Sequence, residues 1–453
     1  MNLKKLLWPV FCGMLALTMA CSSDSTTPTD PGNPQPGGDS NPGTNPSDGG
    51  GSAAYVSPVA LSTSANKEAA SAVYNKWLEW HFVTKTAEAQ YYQSIANKFD
   101  EVFGGYDPVG RVIWSAQNGN SACTVNTTNS NMASRGCTVS EGIGYGMVLS
   151  YFQGDTQTFH ALWNFSRALR AYTGSPFTPW LTSGFTYSIT DRSSATDADL
   201  DIAASLVLMH YKTGVQDYLN DALVIIKGIW EQEVEQTSLL LLSGDTDIWK
   251  KDPTFNLSYF SPVALRLFAM VDNAHNWKGV LDNMYAYMKK VQDAGTGVFP
   301  DWSDAAGAAK NPPNNSAKST YFLFNKESVR IPWRIAWDYY WFQDERAKAI
   351  LDKLNAFIAD PSRANGDPTS LALAKMYSWN TSVGADLKGG SAVPNQWLAA
   401  WCLTGISGNM DWLNKCTAAV NQKWPSNSST SYFSDILLSM YSQLLNGLYQ
   451  RPF

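Results

Sequence analysis

The chain has 453 residues, a formal net charge of -6, 16% charged residues and 13% aromatic residues. So mild an acidic excess on so long a chain excludes a nucleic-acid-binding surface. Only four histidines occur, scattered at positions 81, 160, 210 and 275, and no Cys-x-x-Cys is present. Neither a metal site nor a histidine-dependent nucleophile is expected, and no cofactor.

Residues 1–20 carry Lys4 and Lys5, then an apolar stretch from Leu6, and lead to Leu17-Thr18-Met19-Ala20-Cys21. A basic start, an apolar core and a small residue before the cut describe a secretory signal peptide. The small residue directly before Cys21 resembles a bacterial lipoprotein signal, which would make Cys21 the lipidated first residue of an exported, membrane-anchored protein. The apolar stretch is too short to span a bilayer, and no other segment reads as a span. Residues 21–52 are mostly Ser, Thr, Asp, Pro, Gly and Asn and have no apolar surface to bury, as expected of a flexible tether. Taking away Lys4 and Lys5 and the four tether aspartates leaves a net charge of -4 for residues 53–453. No internal linker divides that stretch, so it reads as one domain, expected to be a monomer.

Apolar residues at three- and four-residue spacing predict helices over 65–82, 87–103, 140–152, 156–172, 198–211 and 215–235. The pattern returns over 262–271, 277–293, 332–342, 344–359, 394–404, 409–423 and 432–447, and residues 304–319 read as a long loop. An all-α domain of about a dozen helices follows. Beyond Cys12 and Cys21, four cysteines remain: Cys123, Cys137, Cys402 and Cys416. Three disulfide connectivities are possible. The local pairs 123–137 and 402–416 are the simplest in an oxidising compartment.

Two segments carry the candidate chemistry. Thr138-Val139-Ser140-Glu141-Gly142-Ile143-Gly144-Tyr145-Gly146-Met147 and Ser194-Ala195-Thr196-Asp197-Ala198-Asp199-Leu200-Asp201 each place carboxylates at the start of a helix. Free backbone N–H groups and the helix dipole favour an ionised acid there. Ser140 can cap the first helix, and Gly142, Gly144 and Gly146 leave a face across which a polymer could approach. Thr196 and Asp199 fit a capping box, which leaves Asp197 as the better functional candidate. Trp114, Trp180, Trp302, Trp379 and Trp424 lie beside Gly, Asn or Pro, where they either stack on sugar rings or fill the core.

Both segments resemble the signature stretches of glycoside hydrolase family 8. Gly110-Arg111-Val112-Ile113, Asn256-Leu257-Ser258-Tyr259-Phe260-Ser261-Pro262, Gly297-Val298-Phe299-Pro300-Asp301-Trp302, Arg330-Ile331-Pro332-Trp333-Arg334 and Ser431-Tyr432-Phe433-Ser434-Asp435 also look like family segments, in family order. The resemblance covers roughly residues 65–450. It implies an (α/α)6 barrel and inverting hydrolysis of β-1,4-linked polysaccharide by two carboxyl groups. Glu141 would be the proton donor and Asp197 part of the cleavage subsite, with Tyr259 and Arg330 beside them and Trp114, Trp180 and Trp302 as sugar platforms. Where the cellulase-like branch has Tyr-Asp before this Arg, the chain reads Lys326-Glu327. Glu327 is the candidate base, with Asp301 or Asp304 as alternatives. Arg330 either holds a catalytic carboxylate through a bidentate pair or forms a structural salt bridge. The expected substrate is a β-1,4-glucan, cellulose-like or mixed-linkage, cleaved internally. Chitosan or xylan hydrolysis and a glycan-binding lipoprotein on an impaired scaffold are the alternatives.

Overall fold

Three- and four-residue apolar spacing becomes helix almost wherever it occurs. The computed structural model describes residues 55–91, 96–114, 136–183, 189–313, 320–426 and 431–453. The segments expected to be signal and tether, with Cys21, and the cysteine at 123 lie outside them. Fifteen α-helices fall among the described residues. The first seven are α1 Lys67–His81, α2 Lys85–Tyr91, α3 Ala96–Phe103, α4 Ser140–Gln153, α5 Thr156–Thr173, α6 Thr196–Thr213 and α7 Gln216–Gln232. Then come α8 Asp247–Lys251, α9 Pro262–Val271, α10 Trp277–Asp293, α11 Ile331–Phe342, α12 Glu345–Ala359, α13 Asn395–Leu403, α14 Met410–Val420 and α15 Tyr432–Leu445. The predicted helix over 87–103 is represented by two, α2 and α3, and α8 is too short to show a period.

Packing sorts these helices into two layers. An inner ring runs α4–α6–α9–α11–α13–α15 and closes where α15 meets α4. Outside it, α5, α7, α10, α12, α14 and α1 pack chiefly against α4, α6, α9, α11, α13 and α15 in turn. The chain forms an (α/α)6 barrel. Sequence explains the sorting: α6 is buried continuously from Thr196 to Met209, whereas α10 buries one stripe, including Trp277, Val280, Leu281, Met284 and Tyr285. Outer helices other than α7 start at side-chain caps, such as Asp155 accepting from the Thr158 N–H and Asn276 from that of Gly279. Gly154, Gly174 and Gly214 end α4, α5 and α6 in left-handed conformation.

Short antiparallel pairings tie down the connections that lead into the ring. Cys137–Val139, Leu181–Ser183 and Ile189–Asp191 form a three-stranded sheet ahead of α4 and α6. Thr254–Phe255 pairs with Ser303–Asp304 ahead of α9, and Leu323–Phe324 with Tyr377–Ser378 ahead of α11.

Four local expectations are corrected. The cap of α4 is Val139 and that of α6 is Ala195, neither with a side-chain bond, so Ser140 and Thr196 are first helical residues. The glycines of α4 serve helix contact, not an open face. A Cβ on Gly144 would sit 3.1 Å from the Ala198 carbonyl oxygen of α6, and one on Gly146 2.7 Å from Leu162 of α5. Cys137 is disulfide-bonded. Cys402 and Cys416, expected as a bridge, are buried free thiols on α13 and α14 that hydrogen-bond each other. Burial raises the Cys402 thiol well above its ordinary range and keeps it protonated. Trp379 belongs to the core, donating to the Val291 carbonyl, and Trp424 lies outside the cleft at 51% exposure.

Candidate active site

All six ring helices begin at one end of the barrel, and each start contributes to a single cleft. Glu141 comes from the first turn of α4 and Asp197 from the first turn of α6. Tyr259 precedes α9, Glu327 and Arg330 precede α11, Gln396 opens α13 and Phe433 opens α15. Converging helix N-termini supply unpaired N–H groups and positive dipole ends, which suit a floor of carboxylates.

Arg330 organises that floor. Its Nη1 donates to Glu141 Oε2 at 2.5 Å, to Asp197 Oδ2 at 3.0 Å and to the Tyr145 hydroxyl at 3.1 Å, while Nη2 donates to Glu327 Oε2. It is therefore neither a bidentate clamp on one acid nor a remote structural bridge, but a buried hub for three carboxyls. The Tyr259 and Phe433 rings lie 5.3 and 5.9 Å from its guanidinium carbon. Arg334, one turn on, makes a two-armed pair with Asp201 of α6 and donates to the Ser258 carbonyl at 3.2 Å.

Burial divides the acids by role. The side chains of Glu141 and Glu327 keep 17% and 18% exposure at the cleft, while that of Asp197 is sealed at 1%. Desolvation raises the Glu141 carboxyl above its ordinary value, opposed by the Arg330 charge and by the Tyr432 hydroxyl, which donates to Oε1 at 2.9 Å. Nearby Glu327 and Asp201 push it further up. Burial pushes Asp197 up to about 8 against the pull of Arg330, and its Oδ1 accepts the Ala198 N–H at 2.9 Å. A carboxyl able to hold its proton, next to a second carboxyl bound by donors, is the arrangement needed for acid and base roles.

Glu327 also accepts from the Asn256 amide at 2.9 Å. Its turn hangs on Asp301, whose Oδ1 accepts the N–H groups of Asn325, Glu327 and Ser328 at 3.0–3.1 Å. Asp301 is thus the anchor of the candidate base and not its alternative, and Asp304 accepts the Ala308 N–H away from the cleft lining.

The cleft has two adjoining hollows that share Trp180, Ala195, Tyr259 and Glu327. One holds Glu141, Asp197, Arg330, Lys326 and Trp114; the other holds Trp249 and Trp302, stacked with centroids 5.6 Å apart at 3°. Of the singled-out tryptophans, 114, 180 and 302 therefore reach the cleft. Residues that carried no role in the sequence reading are Tyr145, Tyr432, Asn256, Gln396 and Trp249. Tyr145 was discoverable, being four residues from Glu141 and so on its helix face. The others arrive from distant segments and give no local signal.

Comparison with known proteins agrees with this geometry. A family model described as glycosyl hydrolases family 8 matches residues 114–443. Endoglucanase C of Ruminiclostridium cellulolyticum is 33% identical over 231 residues, 50% of this chain and 48% of that protein. The chain spans about half the length of the first curated relatives that it matches. A β-glucanase of Niallia circulans is 30% identical over 333 residues, 69% of this chain and 78% of the relative. Among solved structures, the β-1,3-1,4-glucanase of Paenibacillus sp. X4 superposes with a TM-score of 0.66 at 22% identity, covering 87% of this chain and 96% of that one. Rex8A of Paenibacillus barcinonensis, complexed with xylose, does so with 0.60 at 16% identity over 80% and 94%. Both likenesses concern the fold.

Proposed function

The chain belongs to glycosyl hydrolase family 8, and from that premise we propose that it cleaves internal β-1,4 bonds of a β-glucan with inversion. The observation that carries the reading is the gathering of Glu141, Glu327 and Asp197 on one guanidinium, in a hollow that opens into a second, tryptophan-lined one. Inverting hydrolysis takes an acid for the leaving oxygen and a base for water on the opposite face of the sugar. Glu141, raised by burial and still reaching the cleft, donates its proton to the glycosidic oxygen. Glu327 takes a proton from water as that water attacks the anomeric carbon. Asp197, sealed beneath them, holds the sugar at the cleavage point together with Arg330. The second hollow, adjoining the one that holds the carboxyls, suits a polymer that extends past them, and Trp114, Trp180 and the Trp249–Trp302 stack offer flat apolar faces to its rings. Endoglucanase and β-glucanase relatives favour glucan as substrate. We further propose export and lipid anchoring through Cys21, on the composition of residues 1–52.

A reducing-sugar assay on cellulosic glucan, mixed-linkage glucan, xylan and chitosan tests the reading. Glucan should be cleaved with rapid loss of viscosity, and Glu141→Gln should lower turnover by about 10²–10⁴-fold, the usual contribution of a placed acid. Cleavage of xylan or chitosan alone would reassign the substrate. Glucan binding without release of any reducing end would make the protein a glycan binder.

A further inference from the structure

Tyr432, which donates to the acid Glu141, opens α15, and a second buried pair holds the first turn of that helix. The pair is His81, last residue of α1, and Asp435, one turn into α15: His81 Nε2 lies 2.8 Å from Asp435 Oδ2, and the two residues are 5% and 1% exposed. Asp435 also accepts the Ser431 hydroxyl at 2.6 Å on Oδ2 and the Ser426 N–H at 2.8 Å on Oδ1. One carboxylate thereby binds Ser426 and also Ser431, the residue before α15, and the imidazole fixes that carboxylate from outside the ring. The tolerance at Tyr432 is small, because a Cβ on Gly142 would already stand 3.2 Å from its hydroxyl oxygen. A shift of the first turn of α15 by a few tenths of an ångström is enough to lengthen or break the bond to Glu141.

We propose that His81 is a positioning residue for the hydrolytic acid, acting through Asp435 and the first turn of α15 to set the Tyr432–Glu141 hydrogen bond. The proposal rests on Glu141 being the acid. Its contrast with a plain structural role lies in proton affinity. Tyr432 lowers the Glu141 carboxyl, as Arg330 does, while burial, Glu327 and Asp201 raise it. If the Tyr432 bond goes, Glu141 holds its proton to higher pH, and the basic limb of kcat/KM, which reports the free acid, moves alkaline.

The experiment compares pH profiles of kcat/KM on soluble β-glucan for wild type, His81→Ala, His81→Gln, Tyr432→Phe and His81→Ala/Tyr432→Phe, with melting temperatures alongside. His81→Ala should cost roughly 10-fold in kcat with little change in KM, and should move the basic limb in the direction that Tyr432→Phe moves it. The double variant should match Tyr432→Phe, because the two changes act through one bond. His81→Gln keeps an N–H at the Nε2 position and should restore most of the wild-type profile. If His81→Ala does not fold, Asp435→Asn serves in its place, with the same alkaline shift expected. A lowered melting temperature with the wild-type limb retained, or additive effects in the double variant, would overturn the proposal. Full activity in Glu141→Gln would instead overturn the assignment of the acid itself.

Discussion

Two arginines at the entry to α11 stand four residues apart, both 1% exposed, and meet opposite fates. Arg334 faces one carboxylate, Asp201, in a matched two-armed pair sealed between α6 and α11. Arg330 faces three carboxyls, two of which reach the cleft. The matched pair has no charge left over and nothing to do but hold two helices together. At Arg330 burial raises Glu141 and Asp197, and a single positive charge shared among three carboxyls does not offset it, so these two hold their protons at pH values where an ordinary carboxyl has lost them. Chemistry sits where the charge is unbalanced, and structure where it is matched.

The largest expected effect comes from breaking the matched pair. Arg334→Met leaves Asp201 buried and uncompensated and should destabilise the fold by about 3–5 kcal/mol, read by chemical denaturation, while activity per folded molecule largely persists. Arg330→Met should reverse the pattern. Turnover on glucan should fall by about 10²–10³-fold, as for loss of one placed donor, with a smaller change in stability, because the three carboxyls can take up protons. If the two variants behave alike in both assays, the distinction between the arginines is wrong. Glu327→Asp sharpens the comparison from the acid side. The longer Glu side chain crowds the space an attacking water needs, so shortening it should raise turnover a few-fold. Loss of turnover as severe as in Glu141→Gln would show that the Glu length is required.

The smallest effect concerns a third group of buried charges, behind the cleft. Glu233 accepts from the Ser194 hydroxyl at 2.5 Å, and burial pushes it up to about 8. A carboxyl raised from 4.5 stabilises the fold fully below about pH 4.5, and that contribution is lost as pH rises through about 8. Glu233→Gln cannot ionise. Its stability should gain on wild type as pH rises from 5 to 9, by on the order of 1 kcal/mol, read as a rise in relative melting temperature. A constant gap across that range would count against the proton held there.

Much of this molecule is legible in its sequence, for identifiable reasons. Outer helices carry a 3.6-residue stripe and ring helices long apolar runs, so the existence and order of both could be read from the sequence. Glu141 and Asp197 stand out through the signature-like segments that carry them, since acids in a first helical turn are common in this chain, as at Glu68, Asp217, Glu345 and Asp411. The two- and three-residue strands that fix the loops are too short for any period to register. Ser140 and Thr196 are the residue types that cap helices, yet tertiary packing starts each helix one residue earlier than propensity suggests. The hub role of Arg330 could not be read locally either, since its partners lie 133 and 189 residues away. Cys402 and Cys416 show the converse: spacing brought the right two side chains together, but a thiol pair and a bridge share the same spacing.

The closure of α15 onto α4 has a further consequence. Glu141 and the tyrosine that tunes it are 291 residues apart and meet only across that seam. The site therefore has no partial form: a ring opened at any of its six joints loses the seam, and the acid loses its partner. Activity in this protein is a reporter of global integrity, and heat or denaturant should silence hydrolysis and unfold the chain in a single step.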